Sequence, residues 1–142
     1  MPMDTLPMNN ADNTSMVGRM RAIIIDDSRS MRAILGGWLR ERGFEILEAT
    51  DGRAAMEVFR RSGPLTIAVI DWNMPVMNGY ELIVELRCNP SFDSMPILMV
   101  STEGSDAQRA EALAAGANGY LAKPVMEPDF CEKLRTLGFD VR

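Results

Sequence analysis

Residues 21–50 read RAIIIDDSRSMRAILGGWLRERGFEILEAT, and three patterns follow one another inside that stretch. Ala22–Ile25 is a continuous apolar run, the texture of a strand covered on both faces. Two carboxylates, Asp26 and Asp27, stop it. Met31, Ile34, Leu35, Trp38 and Leu39 then fall at i, i+3, i+4, i+7 and i+8, one stripe on a helix. Gly43 ends that helix, and a second strand starts at Glu45. The order is strand, helix, strand.

The same grammar repeats along the chain. Ile67–Ile70 and Ile97–Val100 are further apolar runs. Ala55, Val58 and Phe59 form a helical stripe, as do Leu82, Ile83 and Leu86, and Phe130, Leu134 and Leu137. Stops stand at Gly63-Pro64, Asn89-Pro90, Gly116 and Gly138. The expected elements are β1 (21–25), α1 (30–42), β2 (45–49), α2 (52–62), β3 (66–71), α3 (79–88), β4 (96–101), α4 (105–115), β5 (119–122) and α5 (127–138). Alternating strands and helices imply an α/β fold, a doubly wound parallel sheet with right-handed crossovers.

Composition narrows the chemistry. A chain of 142 residues with 46% apolar and 25% charged residues can bury one core without disulfide or metal staples. Its net charge of −5 argues against a nucleic-acid binder. No apolar run is long enough to span a membrane, and no signal-peptide pattern opens the chain. Cys88 and Cys131 form no CxxC pair and read as buried or half-buried thiols in a reducing cytosol. Histidine is absent, which removes His-based triads, the usual zinc sites and any role as a histidine phosphodonor. Residues 1–18 (MPMDTLPMNNADNTSMVG) show no periodicity and read as a flexible N-terminal tail. Residues 19–142 read as one domain, with no room after α5 for an output domain.

Each buried strand ends in polar residues. β1 runs into Asp26-Asp27, β3 into Asp71, β4 into Ser101-Thr102 and β5 into Lys123-Pro124. In a parallel sheet these four tips share the edge where open α/β folds bind ligands. Two like charges about 4 Å apart repel by about 4 kcal/mol at an effective dielectric of about 20. Three carboxylates there must take up a proton or recruit a cation. Mg²⁺, which accepts one or two carboxylates plus a phosphate, suits the cluster, and Mn²⁺ is an alternative. Lys123 suits an incoming phosphate oxygen, and an aspartate can itself accept a phosphoryl group.

The segments IIIDDSRSMR, VIDWNMPVMNGYEL, PILMVSTEG and GANGYLAKP resemble, in order and spacing, a response-regulator receiver domain of the chemotaxis type (CheY-like), over about residues 20–138. The resemblance implies the flavodoxin-like strand order 2-1-3-4-5, which is the family's order and not one that spacing fixes. It makes Asp71 the phosphoacceptor, with Asp27 a direct metal ligand, Asp26 a helper and Asn73 a backbone-carbonyl donor. Ser101 and Lys123 would engage the phosphoryl group, and Lys123-Pro124 would be cis. Tyr120 would be the aromatic switch that answers movement of the Ser101 hydroxyl. Asn73 and Glu103 stand where the family tunes hydrolysis.

The implied function is a cytoplasmic, monomeric single-domain regulator of a two-component phosphorelay. A histidine kinase would supply the phosphoryl group, and the α4-β5-α5 face would bind a downstream protein, in chemotaxis. No nucleic acid, no membrane insertion and no separate enzymatic turnover are expected. A relay intermediate that passes the phosphoryl group on is the alternative within the family. An aspartyl-phosphate hydrolase would usually carry a second Asp where Asn73 stands. A flavin carrier would need a phosphate loop where Asp26-Asp27 repel phosphate. Ser101 stands in place of the family's common threonine and Val125 where an aromatic often follows Lys-Pro. Asp106, Arg109 and Leu113 give α4 a face unlike that of the best-known motor-binding members, which leaves the target open.

Residue by residue, blander roles compete. Asp26 and Asp27 are also capping acids by type, Asp71 a turn residue, Ser101 a helix cap, Lys123 a surface lysine and Tyr120 an edge aromatic. Ser105 is the better cap for α4. Trp38 belongs to the α1 stripe and reads as core, and Trp72 adjoins the acceptor.

Overall fold

The computed structural model describes residues 19–142, so the expected tail at 1–18 lies outside it. Its elements are β1 (Met20–Ile25), α1 (Arg29–Arg40), β2 (Phe44–Ala49), α2 (Gly52–Ser62), β3 (Ile67–Asp71), α3 (Gly79–Arg87), β4 (Ile97–Ser101), α4 (Asp106–Ala115), β5 (Gly119–Ala122) and α5 (Glu127–Thr136). All five strands are parallel, in the order β2-β1-β3-β4-β5. Their apolar residues divide between two cores, one on each face of the sheet. Ile23, Ile25, Ile70 and Met99 pack towards α2 and α3 residues such as Phe59 and Leu82, while Ile24, Val69 and Leu98 pack with Leu35 of α1 and Phe130 of α5. Double-sided burial is why these strands lack alternation.

Local chemistry sets the helix ends. Ser28, Asp51, Asn78 and Ser105 cap α1 to α4 by accepting backbone N–H groups, and Asn78 with Glu81 closes a full capping box. Gly43, Gly63, Gly116 and Gly138 all take positive φ, as expected where helices stop. Asn89 does more than end α3: its side chain opens a 3₁₀ turn at Pro90–Phe92, which the sequence reading did not include. Cys131 is buried as expected, but Cys88, just past the end of α3, is exposed. Two members of the α1 stripe also sit differently from expectation. Ile34 is exposed and Trp38 half-buried against Phe130, because a helix lying on a sheet buries only the centre line of its apolar face.

Arg87 supplies the least expected tertiary link. From the end of α3 its guanidinium donates to the carbonyls of Gly116 (2.9 Å), Met95 (2.9 Å) and Phe92 and to Asn118 Oδ1 (3.0 Å). It thereby joins the loops that enter β4 and β5. Burial pushes its pKa down, but guanidinium keeps its proton at ordinary pH.

Candidate functional site

At the carboxyl edge of the sheet, β1 delivers Asp26 and Asp27, and β3 delivers Asp71 from the neighbouring strand. Carboxylate oxygens of all three lie within 4.8 Å of one another. Asp26 and Asp71 are buried, whereas Asp27 is exposed at the mouth. From the tip of β5, Lys123 reaches across to place Nζ 3.2 Å from Asp26 Oδ2 and 3.2 Å from Asp71 Oδ1. The Lys123-Pro124 peptide bond is cis.

One ammonium cannot satisfy this much negative charge. Burial, then the Asp26 charge, drive the Asp71 carboxyl up from 3.8 to about 6, and Lys123 recovers only part of the rise. Burial alone would lower the Lys123 ammonium, yet Asp71 and Asp26 outweigh it and its pKa moves up. A hard divalent cation fits the oxygen-only donor set and the charge deficit. Asp26 also accepts the Ser28 N–H at 2.8 Å, and Arg32 donates to the Asp26 carbonyl at 2.7 Å. Those bonds fix the β1–α1 loop, while the capping of α1 itself falls to Ser28.

The loop after β3 is held tightly against the strand end. Gly79 N–H donates to the Trp72 carbonyl at 2.8 Å. A Cβ on Gly79 would stand 2.3 Å from the Asp71 carbonyl oxygen, so only glycine permits α3 to start this close. Asn73 lies in the exposed part of that loop, and Trp72 is buried and stacked on Tyr80 at 5.6 Å. Val76 takes φ 69° there, with three-quarters of its surface exposed.

Ser101 and Tyr120 occupy a second polar cluster on the adjoining strands. Ser101 is fully buried; its hydroxyl donates to Gln108 Oε1 at 3.0 Å and accepts from Glu103 N–H at 3.1 Å. Tyr120 points inward, is buried, and donates to the Glu103 carbonyl. Arg109 lies 5.6 Å from the Tyr120 ring centroid, within cation–π range. Sequence reasoning missed Gln108. Ser105 to Gln108 has the S-x-x-Q spacing of a capping box, and that pattern hides an inward-turned amide. Ser105 is the cap of α4, accepting Gln108 N–H.

Comparison with known proteins agrees with this geometry. The response regulator receiver domain family matches residues 22–135. The chain belongs to that family. A chemotaxis protein CheY homolog of Campylobacter jejuni is 39% identical to this receiver over 116 residues, 81% of this chain and 89% of that protein. Chemotaxis protein CheY1 of Helicobacter pylori is 38% identical over 119 residues, 83% of this chain and 96% of that protein. Among solved structures, chemotaxis response regulator CheY4 of Vibrio cholerae superposes with a TM-score of 0.78 at 32% identity, covering 84% of this receiver and 98% of that chain. Among the described residues no helix is long and apolar enough to cross a membrane.

Proposed function

We propose that this receiver is a phosphorylation-controlled switch in which Asp71 accepts a phosphoryl group from the phosphohistidine of a histidine kinase. The observation that carries the reading is a buried acceptor carboxylate flanked by two further acids and one lysine. An Asp71 oxygen attacks phosphorus in line, the N–P bond breaks, and its electron pair leaves on the imidazole nitrogen, which takes up a proton. Lys123 Nζ, already beside Asp71 Oδ1, holds a phosphoryl oxygen and its developing charge. Asp26, Asp27, Asp71 and the Asn73 carbonyl would hold Mg²⁺ or Mn²⁺, which neutralises carboxylate and phosphoryl charge when bound.

Phosphorylation adds about −1.5 to −2 charges at the strand tips. Ser101 and Tyr120 connect those tips to α4 and β5, so the α4-β5-α5 face is the surface through which a target protein reads the state. The names of the relatives favour a chemotaxis pathway, and in this reading the regulator acts in the cytoplasm. The chain modifies itself and turns over no separate substrate.

The test is a Mg²⁺ and beryllofluoride titration followed by Trp72 emission, in protein with Trp38 replaced. It is paired with labelling by a small phosphodonor. Acid-labile phosphate should appear on the wild type and vanish in Asp71→Asn. Equal uptake by Asp71→Asn would end the proposal.

A further inference from the structure

Around Gln108 the hydrogen-bond protons do not add up in one arrangement. The Tyr120 hydroxyl faces both the Glu103 carbonyl and, at 2.8 Å, Gln108 Oε1. A phenol has a single proton and cannot serve two acceptors fully. Meanwhile Ser101 spends its only proton on the same Gln108 oxygen. Turning the terminal amide by half a turn exchanges oxygen for nitrogen with little displacement of heavy atoms. Gln108 Nε2 then donates one proton to Tyr120 and one to Ser101. Tyr120 keeps its bond to Glu103, and Ser101 accepts twice, from Glu103 N–H and from Gln108. The serine proton is left free.

We propose that Gln108 is a positioning residue with two amide orientations: one retains the Ser101 proton, and the other releases it to a phosphoryl oxygen on Asp71 while holding Tyr120 inward. The proposal rests on Asp71 being the phosphoacceptor. It accounts for an otherwise odd choice at α4. The side chain at this N-terminal position could close a capping box, as Glu81 does in α3, yet it turns into the protein to meet two hydroxyls. A single amide thus joins the strand tip beside the acceptor to the aromatic of β5. Because each hydroxyl can either donate or accept, the two arrangements differ in proton placement and leave the packing intact.

The experiment is a double-mutant cycle on beryllofluoride binding in the presence of Mg²⁺. Gln108→Glu supplies oxygens only and so fixes the proton-retaining arrangement. It should weaken binding by about three- to tenfold, the worth of one hydrogen bond. In a Ser101→Ala background the same substitution should have less than about a twofold effect, because no serine proton is left to retain. An equal loss in both backgrounds would mean that the added charge acts alone, and would overturn the proposal. The second readout is NMR exchange of the Gln108 side-chain amide protons, which should slow when beryllofluoride binds the wild type. Unchanged exchange on a protein that binds would also overturn it. A wild type that binds no beryllofluoride and takes no phosphate defeats the phosphoacceptor reading itself, a result distinct from either.

Discussion

Lys123 Nζ stands 3.2 Å from Asp71 Oδ1, and the same nitrogen stands 3.2 Å from Asp26. One cation is divided between two buried anions, and Asp71 is left with its pKa raised to about 6. Burial first, and then the neighbouring Asp26 charge that Lys123 only partly offsets, make an ionised Asp71 costly to the stability of the folded protein.

The cost has a definite pH dependence. In metal-free protein the folded state holds the Asp71 proton up to about pH 6, while the unfolded chain releases it near 3.8. The folded state binds more protons between those values, so stability falls as pH rises through the window and levels off above it. The full penalty is at most about 3 kcal/mol. Asp71→Asn should therefore melt higher than wild type at pH 7.5 in chelator, and the advantage should vanish near pH 4. Thermal melts of both proteins across that range check this, and a constant difference would contradict it.

Val76 should be improvable. Val76, at φ 69°, is the centre of a three-residue γ-turn closed by Met77 N–H on the Pro75 carbonyl at 2.7 Å, a strained conformation that costs a β-branched residue about 1–2 kcal/mol. Val76→Gly, which has no Cβ to strain, is expected to stabilise the domain by about 1 kcal/mol. Urea denaturation reads the change as a higher midpoint with an unaltered slope.

Gly79 should be intolerant. A methyl group there meets the Asp71 carbonyl oxygen at 2.3 Å, so Gly79→Ala must push α3 away from β3. The expected loss is about 1–3 kcal/mol, together with slower labelling of Asp71. Calorimetry and small-phosphodonor kinetics on the same sample measure the two effects.

Arg87 should matter far more than a helix-end arginine usually does. Arg87→Met keeps most of the stem but abandons the Gly116, Met95 and Phe92 carbonyls. A loss of at least about 2 kcal/mol is expected. Hydrogen exchange should localise the loosening to the loops before β4 and β5.

The sequence alone determined the alternation of strands and helices, because uninterrupted apolar runs and 3.6-residue stripes are local signals. It also placed Asp26, Asp27, Asp71 and Lys123 at strand ends, since a charged residue closing a buried strand stands out in one dimension. That Ile34 faces outward was not local information. The stripe around the helix is wider than the strip of sheet it covers.

What only the tertiary structure decided are partnerships whose members look ordinary in sequence. Gln108 resembles a capping residue and Arg87 a dipole-compensating one, and both turn inward to groups contributed by distant strands and loops. A hydrogen bond depends on which donor and acceptor the folded chain brings within about 3 Å. Side-chain type and spacing fix how many protons each group carries, and the packing of α4 on β4 and β5 decides where those protons go.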